Sequence, residues 1–191
     1  MRRIEIRPEA AAALCLLFYL DPRGAFLPFA LAATAHEAAH VLAILACGGR
    51  VERLRVRAAG AVMLHRVLPP GKTALCALAG PAANAVCAAA FARSAPRFAA
   101  VSVLLGAYNL LPIEPLDGGT ALRAVLGARE PPDRCDRIMR VVRDAALVAL
   151  ALGALWCALY LRGGVWPLLL LGALLLRLPV EKRVAKRSAS A

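Results

Sequence analysis

The segment His36-Glu37-Ala38-Ala39-His40 places two of the chain's three histidines four residues apart, inside an apolar run over 26–49 that contains no other charged residue. On a helix, residues i and i+4 share a face and lie about 6 Å apart along the axis, so both imidazoles can reach one metal ion. Glu37 follows the first histidine, where its carboxylate can act on water. This spacing predicts a zinc site with two histidine ligands and a glutamate general base.

The apolar surroundings of this motif add weight to the prediction. The run over 26–49 is long enough to cross a bilayer. An ionisable side chain at that depth costs about 2.5–3.5 kcal/mol unless it is used. The alternative interpretation is a chance match, with the polar groups merely packed inside a helix bundle. Three ionisable groups within five residues favour the metal site.

The composition predicts a membrane protein. Of the 191 residues, 61% are hydrophobic, and a soluble domain of this length is not so apolar. Six apolar segments follow one another, at 8–20, 26–49, 73–92, 98–111, 145–161 and 165–178. The second, third and fifth have the length of a spanning helix, about 20 residues, and the others are shorter. We therefore predict an all-α polytopic membrane protein with about six transmembrane helices.

The basic residues predict the orientation of the chain in the membrane. The formal net charge is +12, and with six spans all basic residues except Arg23, Arg93, Arg97 and Arg162 fall on one side. Under the positive-inside rule that side is the cytosol, so we expect a multi-pass cell-membrane protein with both termini cytosolic. Nucleic acid is not expected as a partner, because no aromatic residues interleave the basic clusters to stack on bases.

The loop between the second and third segments shows imperfect alternation of apolar and polar residues. Residues 51–67 alternate on both sides of the small-residue sequence Ala58-Ala59-Gly60, which is typical of a hairpin of two short strands. A basic loop lying on anionic lipid is an equally good interpretation. His65 belongs to this loop, and we do not expect it to bind metal.

A third metal ligand is needed, because catalytic zinc usually has three protein ligands. The sequence Asn109-Leu-Leu-Pro-Ile-Glu-Pro-Leu-Asp-Gly-Gly119 offers Asp117. Pro112 and Pro115 cannot continue a helix, and non-helical backbone at membrane depth persists only where it lines protein or a water-filled cavity. Asp117 is thus expected beside a cavity, and the following glycines allow close backbone approach. The segment 80–84, Gly-Pro-Ala-Ala-Asn, is a weak signal that fits helix packing.

These three motifs, in this order, resemble the site-2 protease family of intramembrane zinc metalloproteases. The matching segments are 36–40, 80–84 and 109–119, and the similarity is greatest to the sporulation branch that processes a pro-sigma factor. The resemblance implies zinc as the cofactor, with His36, His40 and Asp117 as its ligands. It also implies Glu37 as the general base and Asn109 beside the site.

The resemblance further implies regulated cleavage of a membrane-associated protein, such as a transcription-factor precursor, within or near the bilayer. The expected partners are this substrate, the lipid bilayer and membrane regulatory proteins. We expect one domain over 1–191 without a PDZ insertion or a CBS domain. A non-catalytic membrane adaptor that binds helices or metal is the alternative function. Glu114 departs from the family pattern. We favour a solvated carboxylate at the cytosolic opening; the alternatives are a partner that supports Asp117 and a like charge that repels Asp117 and weakens zinc binding.

Overall fold

Five helices and three short strands make up the described part of the chain. The computed structural model describes residues 4–6, 19, 21, 24–57, 60–65 and 68–160. The strands are β1 (Ile4–Ile6), β2 (Val51–Arg57) and β3 (Gly60–His65). The helices are α1 (Phe26–Ala46), α2 (Pro70–Phe91), α3 (Pro96–Asn109), α4 (Asp117–Gly127) and α5 (Pro132–Tyr160). Helix α2 lies at the centre and packs against α1, α3 and α4.

Local sequence explains where the first two long helices begin and end. The Asp21 carboxylate accepts a hydrogen bond from the Phe26 amide at 2.7 Å, at the N-terminus of α1. Gly48 ends this helix with a φ of +81°, a conformation that costs glycine little. Helix α2 starts with Pro70, where a missing N–H is harmless because the first amides of a helix have no intrahelical partner.

The proline-containing segment between α3 and α4 is non-helical, as predicted from Pro112 and Pro115. Helix α3 ends at Asn109 and the next helix starts at Asp117. Ile113 is fully buried in the intervening loop, and Leu116 is nearly so. The cluster that these two residues form packs against α5 residues, namely Ala146, Leu147 and Leu150. The loop is therefore held to α5 by apolar contacts.

The segment for which a hairpin was predicted contains two antiparallel strands. Strand β2 pairs with β3 in a register that sets Leu54 opposite Met63 and Arg57 opposite Gly60. Strand β1 pairs in parallel with the other edge of β2 and was not predicted. The sheet order is β1-β2-β3, so β3 is an edge strand.

The described helices bury small and polar residues and expose large apolar ones. Asn84 and Ser102 are fully buried, and His36 is 4% exposed. Large apolar side chains instead face outward on all five described helices, among them Leu27, Leu42, Leu75, Val103, Leu104, Val125, Leu152 and Trp156. A surface of this kind is unfavourable in water and is expected of helices that face lipid.

Two of the six predicted spans are supported by helix length and hydropathy. Helices α1 and α2 are long and apolar enough to cross a membrane. The segment 98–111 corresponds to α3, which has 14 residues, and 145–161 falls on the continuous helix α5. The segments 8–20 and 165–178 lie outside the described helices. The number of spans thus stays a prediction.

Candidate metal centre

Three potential metal ligands from two distant parts of the chain converge in the structure. His36 and His40 lie on one face of α1, and Asp117 is the first residue of α4. The Asp117 Oδ2 atom lies 3.0 Å from His36 Nε2 and 3.3 Å from His40 Nε2. All three ligand atoms lie within 4.8 Å of one another. The ligand set predicted from the sequence is thereby brought together.

The first histidine is oriented by the amide of Asn84. His36 Nδ1 lies 2.5 Å from Asn84 Oδ1, and the Asn84 amide nitrogen donates to the carbonyl of Ala32 at 3.3 Å. Since that second bond fixes which way the amide points, an oxygen faces the ring. His36 Nδ1 must therefore be the donor, which leaves the Nε2 lone pair free toward the centre.

The second histidine is oriented by backbone. His40 Nδ1 lies 2.7 Å from the carbonyl oxygen of Cys76, on the facing turn of α2. A carbonyl can only accept, so Nδ1 carries the proton here as well. The two Nε2 atoms lie 3.1 Å apart, each with its lone pair toward the other and toward Asp117.

Gly80 makes room for the two imidazoles. A Cβ atom at this position would lie 2.6 Å from His36 Nε2 and would overlap His40 Nε2 still more severely. Real side chains do not approach so closely, so α2 can pass the two rings only with glycine here. The predicted packing role of the segment 80–84 is therefore incomplete, because Gly80 and Asn84 also shape the centre.

Asp117 is positioned by close packing at the start of α4. A Cβ on Gly118 would overlap the Leu110 carbonyl, and one on Gly119 would overlap the backbone of Ile113. Both glycines thus serve the close backbone approach expected from the sequence. The Asp117 Oδ2 atom is buried and accepts no hydrogen bond from the described residues.

The donor set fits a zinc ion. Two neutral imidazole nitrogens and a buried carboxylate oxygen without a hydrogen bond present only lone pairs to a shared point, which is unfavourable unless a cation is bound there. Nitrogen and oxygen ligands of this number are those of catalytic zinc sites with an open fourth position. Each histidine also donates its single N–H, at Nδ1, to a fixed acceptor, which is the usual arrangement of metal-binding histidines.

The other two predicted site residues, Glu37 and Asn109, are not metal ligands but were predicted to take part in catalysis. Glu37 follows His36 on α1 and is partly buried. The side-chain amide of Asn109, at the end of α3, donates to the Leu105 carbonyl at 3.0 Å. That bond uses one of its two N–H groups. The catalytic roles of Glu37 and Asn109 remain predictions.

The prediction that Glu114 is solvated is incomplete, because its partly exposed side chain also pairs with an arginine. Its Oε1 atom accepts a hydrogen bond from Arg123 Nε at 2.6 Å. Its side chain is 36% exposed, and an ion pair can form there because Arg123 lies on the helix that follows the loop.

Sequence reasoning missed how the histidines are held. The acceptors Asn84 and Cys76 lie 48 and 36 residues from their partners along the chain. Asn84 could have been singled out as an amide within an apolar segment, which requires a partner. A backbone carbonyl such as that of Cys76 leaves no signal in a sequence.

The fold and the site together define a metalloprotease-type centre in a helical, apolar protein. Residues 93–150 match the family model of Peptidase family M50. This region contains Asp117 but not the two histidines, which the tertiary structure adds.

Two known proteins are similar to this chain, one in sequence and one in fold. The putative zinc metalloprotease Rip3 of Mycobacterium tuberculosis is 32% identical, in an alignment that covers 79% of this chain and 44% of the relative. The chain thus spans somewhat less than half the length of that relative. The site-2 protease from Methanocaldococcus jannaschii has a similar fold, with a TM-score of 0.63 and 18% identity over 88% of this chain and 85% of that chain.

Residues 93–150 thus match Peptidase family M50, and the fold is similar to that of a solved site-2 protease. The predicted enzyme class and metal agree with the name of the Mycobacterium tuberculosis relative, a putative zinc metalloprotease, and with the His-His-Asp group in the structure. The sporulation branch is not specifically supported by these comparisons.

Proposed function

We propose that this chain is an intramembrane zinc metalloendopeptidase that cleaves a membrane-associated protein within or near the bilayer. The observation that carries the proposal is the convergence of His36, His40 and Asp117 within 4.8 Å, with Glu37 adjacent in sequence to the first ligand. A buried and a partly buried histidine, both with fixed tautomers, and a carboxylate form a metal site beside the proposed general base. An adaptor that only binds helices has no use for such a base.

The proposed reaction divides proton transfer and binding among the residues of the site. A bound zinc ion would supply Lewis acidity, which lowers the pKa of water and polarises a peptide carbonyl. Glu37 accepts the proton of the attacking water on a carboxylate oxygen and then delivers it to the departing amine. Asn84 and the Cys76 carbonyl hold the two imidazoles in the orientation that keeps their Nε2 atoms facing the site.

The second N–H of Asn109 is the proposed hydrogen-bond donor to the substrate carbonyl. Its first N–H is already held by the Leu105 carbonyl, which restricts the side chain to few orientations. A donor fixed in advance stabilises the negative charge that develops on oxygen in the transition state, because it need not reorganise.

The substrate is proposed to bind as an extended strand. Proteolysis requires extended backbone, and strand β3 is at the edge of the sheet, immediately before α2. An added strand there would gain backbone hydrogen bonds without requiring a particular sequence. A photo-crosslinker at Met63 of β3 should capture the substrate, whereas one at Glu5 of β1 should not. Equal capture at both positions would show that binding is not specific to the β3 edge, and no capture at Met63 would exclude that edge.

The proposed setting is a multi-pass protein of the cell membrane with both termini cytosolic. The outward-facing apolar side chains on α1, α2, α3 and α5 support this setting, as does the distribution of basic residues. A membrane-tethered transcription-factor precursor is the proposed substrate class. It rests on the similarity of residues 36–40, 80–84 and 109–119 to the sporulation branch.

The decisive test is Glu37→Gln, measured for both metal content and cleavage of a membrane-tethered reporter. The amide is nearly isosteric with the carboxylate but cannot accept the proton, so zinc should be retained while cleavage is abolished. Glu130→Gln is a matched control, because Glu130 forms an ion pair with the exposed Arg134 and lies outside the site. Cleavage by the Glu37→Gln protein at the wild-type rate would refute the proposed base.

A further inference from the structure

A single arginine connects the three segments that surround Asp117. Arg123, on α4, donates from Nε to Glu114 Oε1 at 2.6 Å and from an Nη atom to Asp136 Oδ1 at 2.7 Å. Glu114 lies in the loop that leads to Asp117, and Asp136 lies in the first turns of α5. The guanidinium holds the pKa of Asp136 below its usual range, so this carboxylate stays charged at neutral pH.

These contacts complement the apolar anchoring of the loop. Ile113 and Leu116 fix the loop against α5. Apolar contacts of this kind resist separation but are less directional than a guanidinium that binds two carboxylates at fixed angles. Asp117 is the first residue of α4, so a rotation of that helix about its axis would move its carboxylate relative to the two histidines. Arg123 opposes such a rotation because it lies on the same helix.

We propose that Arg123 is a positioning residue for the metal centre, which holds Asp117 in place through Glu114 and Asp136. Among the described residues it forms no hydrogen bond with any of the three proposed metal ligands, and it acts through the loop and through the start of α5. The proposal rests on the metal site of the proposed function but not on the proteolytic reaction. Glu114 and Arg123 belong together on this view, since the carboxylate would have no such role without the guanidinium.

The test is zinc affinity, measured by competition with a chelator on the full chain in detergent. Arg123→Gln should weaken binding about fivefold, the upper range for partly exposed ion pairs. Arg123→Lys should recover part of this loss, because an ammonium keeps the charge but cannot reach both carboxylates as a fork does. Arg143→Gln is the matched control, since it removes an arginine of α5 that pairs with the neighbouring Asp144 away from the site. It should bind zinc like the wild type.

Two further measurements separate positioning from general stability. The unfolding midpoint of metal-free Arg123→Gln should equal that of Arg143→Gln. The double variant Glu114→Gln/Arg123→Gln should bind zinc as weakly as Arg123→Gln alone or slightly more weakly, because the two residues act as one unit.

The results of these measurements either support or overturn the positioning role of Arg123. Wild-type zinc affinity in Arg123→Gln would overturn the proposal, as would fully additive losses or a metal-free protein that unfolds earlier. If the wild type itself bound no zinc, the proposed function would fail together with this inference. A loss of cleavage with unchanged zinc affinity would overturn the inference alone.

Discussion

At the residue scale, the two histidines are held by acceptors of different chemistry. His36 depends on a side chain, the Asn84 amide, whereas His40 depends on a backbone carbonyl that any residue at position 76 would provide. Substitution can remove the first acceptor but not the second. The two positions are therefore expected to respond differently to mutation although both acceptors lie on α2.

Asn84→Ala should weaken zinc binding by about ten- to a hundredfold, the usual cost of losing a partner that orients a metal ligand. Cys76→Ala should bind zinc nearly as the wild type does, because the carbonyl remains. Chelator competition measures both. Asn84→Asp should restore much of the affinity, since a carboxylate oxygen can replace the amide oxygen. An equal loss in the Asn84 and Cys76 variants would contradict the hydrogen-bond assignment.

Gly80→Ala should abolish zinc binding, because its Cβ would occupy the space of both imidazole Nε2 atoms. Gly153→Ala is the control, since a Cβ there meets nothing within 4 Å and alanine favours the helix by about 1 kcal/mol. Metal content and thermal unfolding in detergent measure the two effects. Retained zinc in the Gly80→Ala protein would show that α2 lies farther from α1 than described.

At the element scale, the site depends on where helices are interrupted as much as on where they pack. Pro112 and Pro115 lie between α3 and α4, and the loop they form lets Asp117 begin a new helix. If α3 continued through this region without a break, the helical repeat alone would fix the direction in which Asp117 points and its depth. The interruption frees the carboxylate to face α1.

Gly119→Ala should destabilise the fold by about 1–3 kcal/mol, the cost of inserting a methyl group into a filled contact. Its Cβ would overlap the backbone of Ile113, which has no room to move because its side chain is fully buried. Gly127→Ala is the matched control at the other end of α4, where a Cβ meets nothing within 4 Å. Unfolding midpoints in detergent compare the two. Equal midpoints would show that the loop can shift.

At the scale of the whole molecule, a few polar side chains are buried among apolar ones, and many large apolar side chains face outward. The buried polar residues His36, Asn84 and Ser102 face the centre of the described helices. Lipid favours this arrangement, because an apolar solvent offers no hydrogen bonds to a polar surface. The distribution of basic residues then predicts which side of the membrane each loop faces.

The proposed topology predicts that a cysteine at position 94, in the turn between α2 and α3, is labelled from outside intact cells. A cysteine at 188 should be labelled only after permeabilisation. Both replace serines and would be tested in a background without native cysteines, using a membrane-impermeant maleimide. Labelling of position 188 in intact cells would reverse the orientation of the C-terminus.

The sequence by itself determined the chemistry of the centre and the interruption of the helices. Two histidines at helical spacing, an adjacent glutamate and an aspartate after two prolines are local patterns, and local geometry suffices to interpret them. It also predicted the apolar character of α1 and α2, because length and hydropathy are properties of a continuous segment. The neighbouring glycines could be assigned to close approach, but not to the atoms that they approach.

Only the tertiary structure decided what holds that chemistry in place. Asn84 meets His36 across 48 residues, and the Cys76 carbonyl meets His40 across 36. Glu114, in the loop before α4, accepts a hydrogen bond from Arg123 on that helix. Such contacts depend on which helix faces pack together and at what distance, and side-chain periodicity leaves both open. The ligands could therefore be identified from their spacing, whereas their supports became visible only when α1, α2 and α4 were packed together.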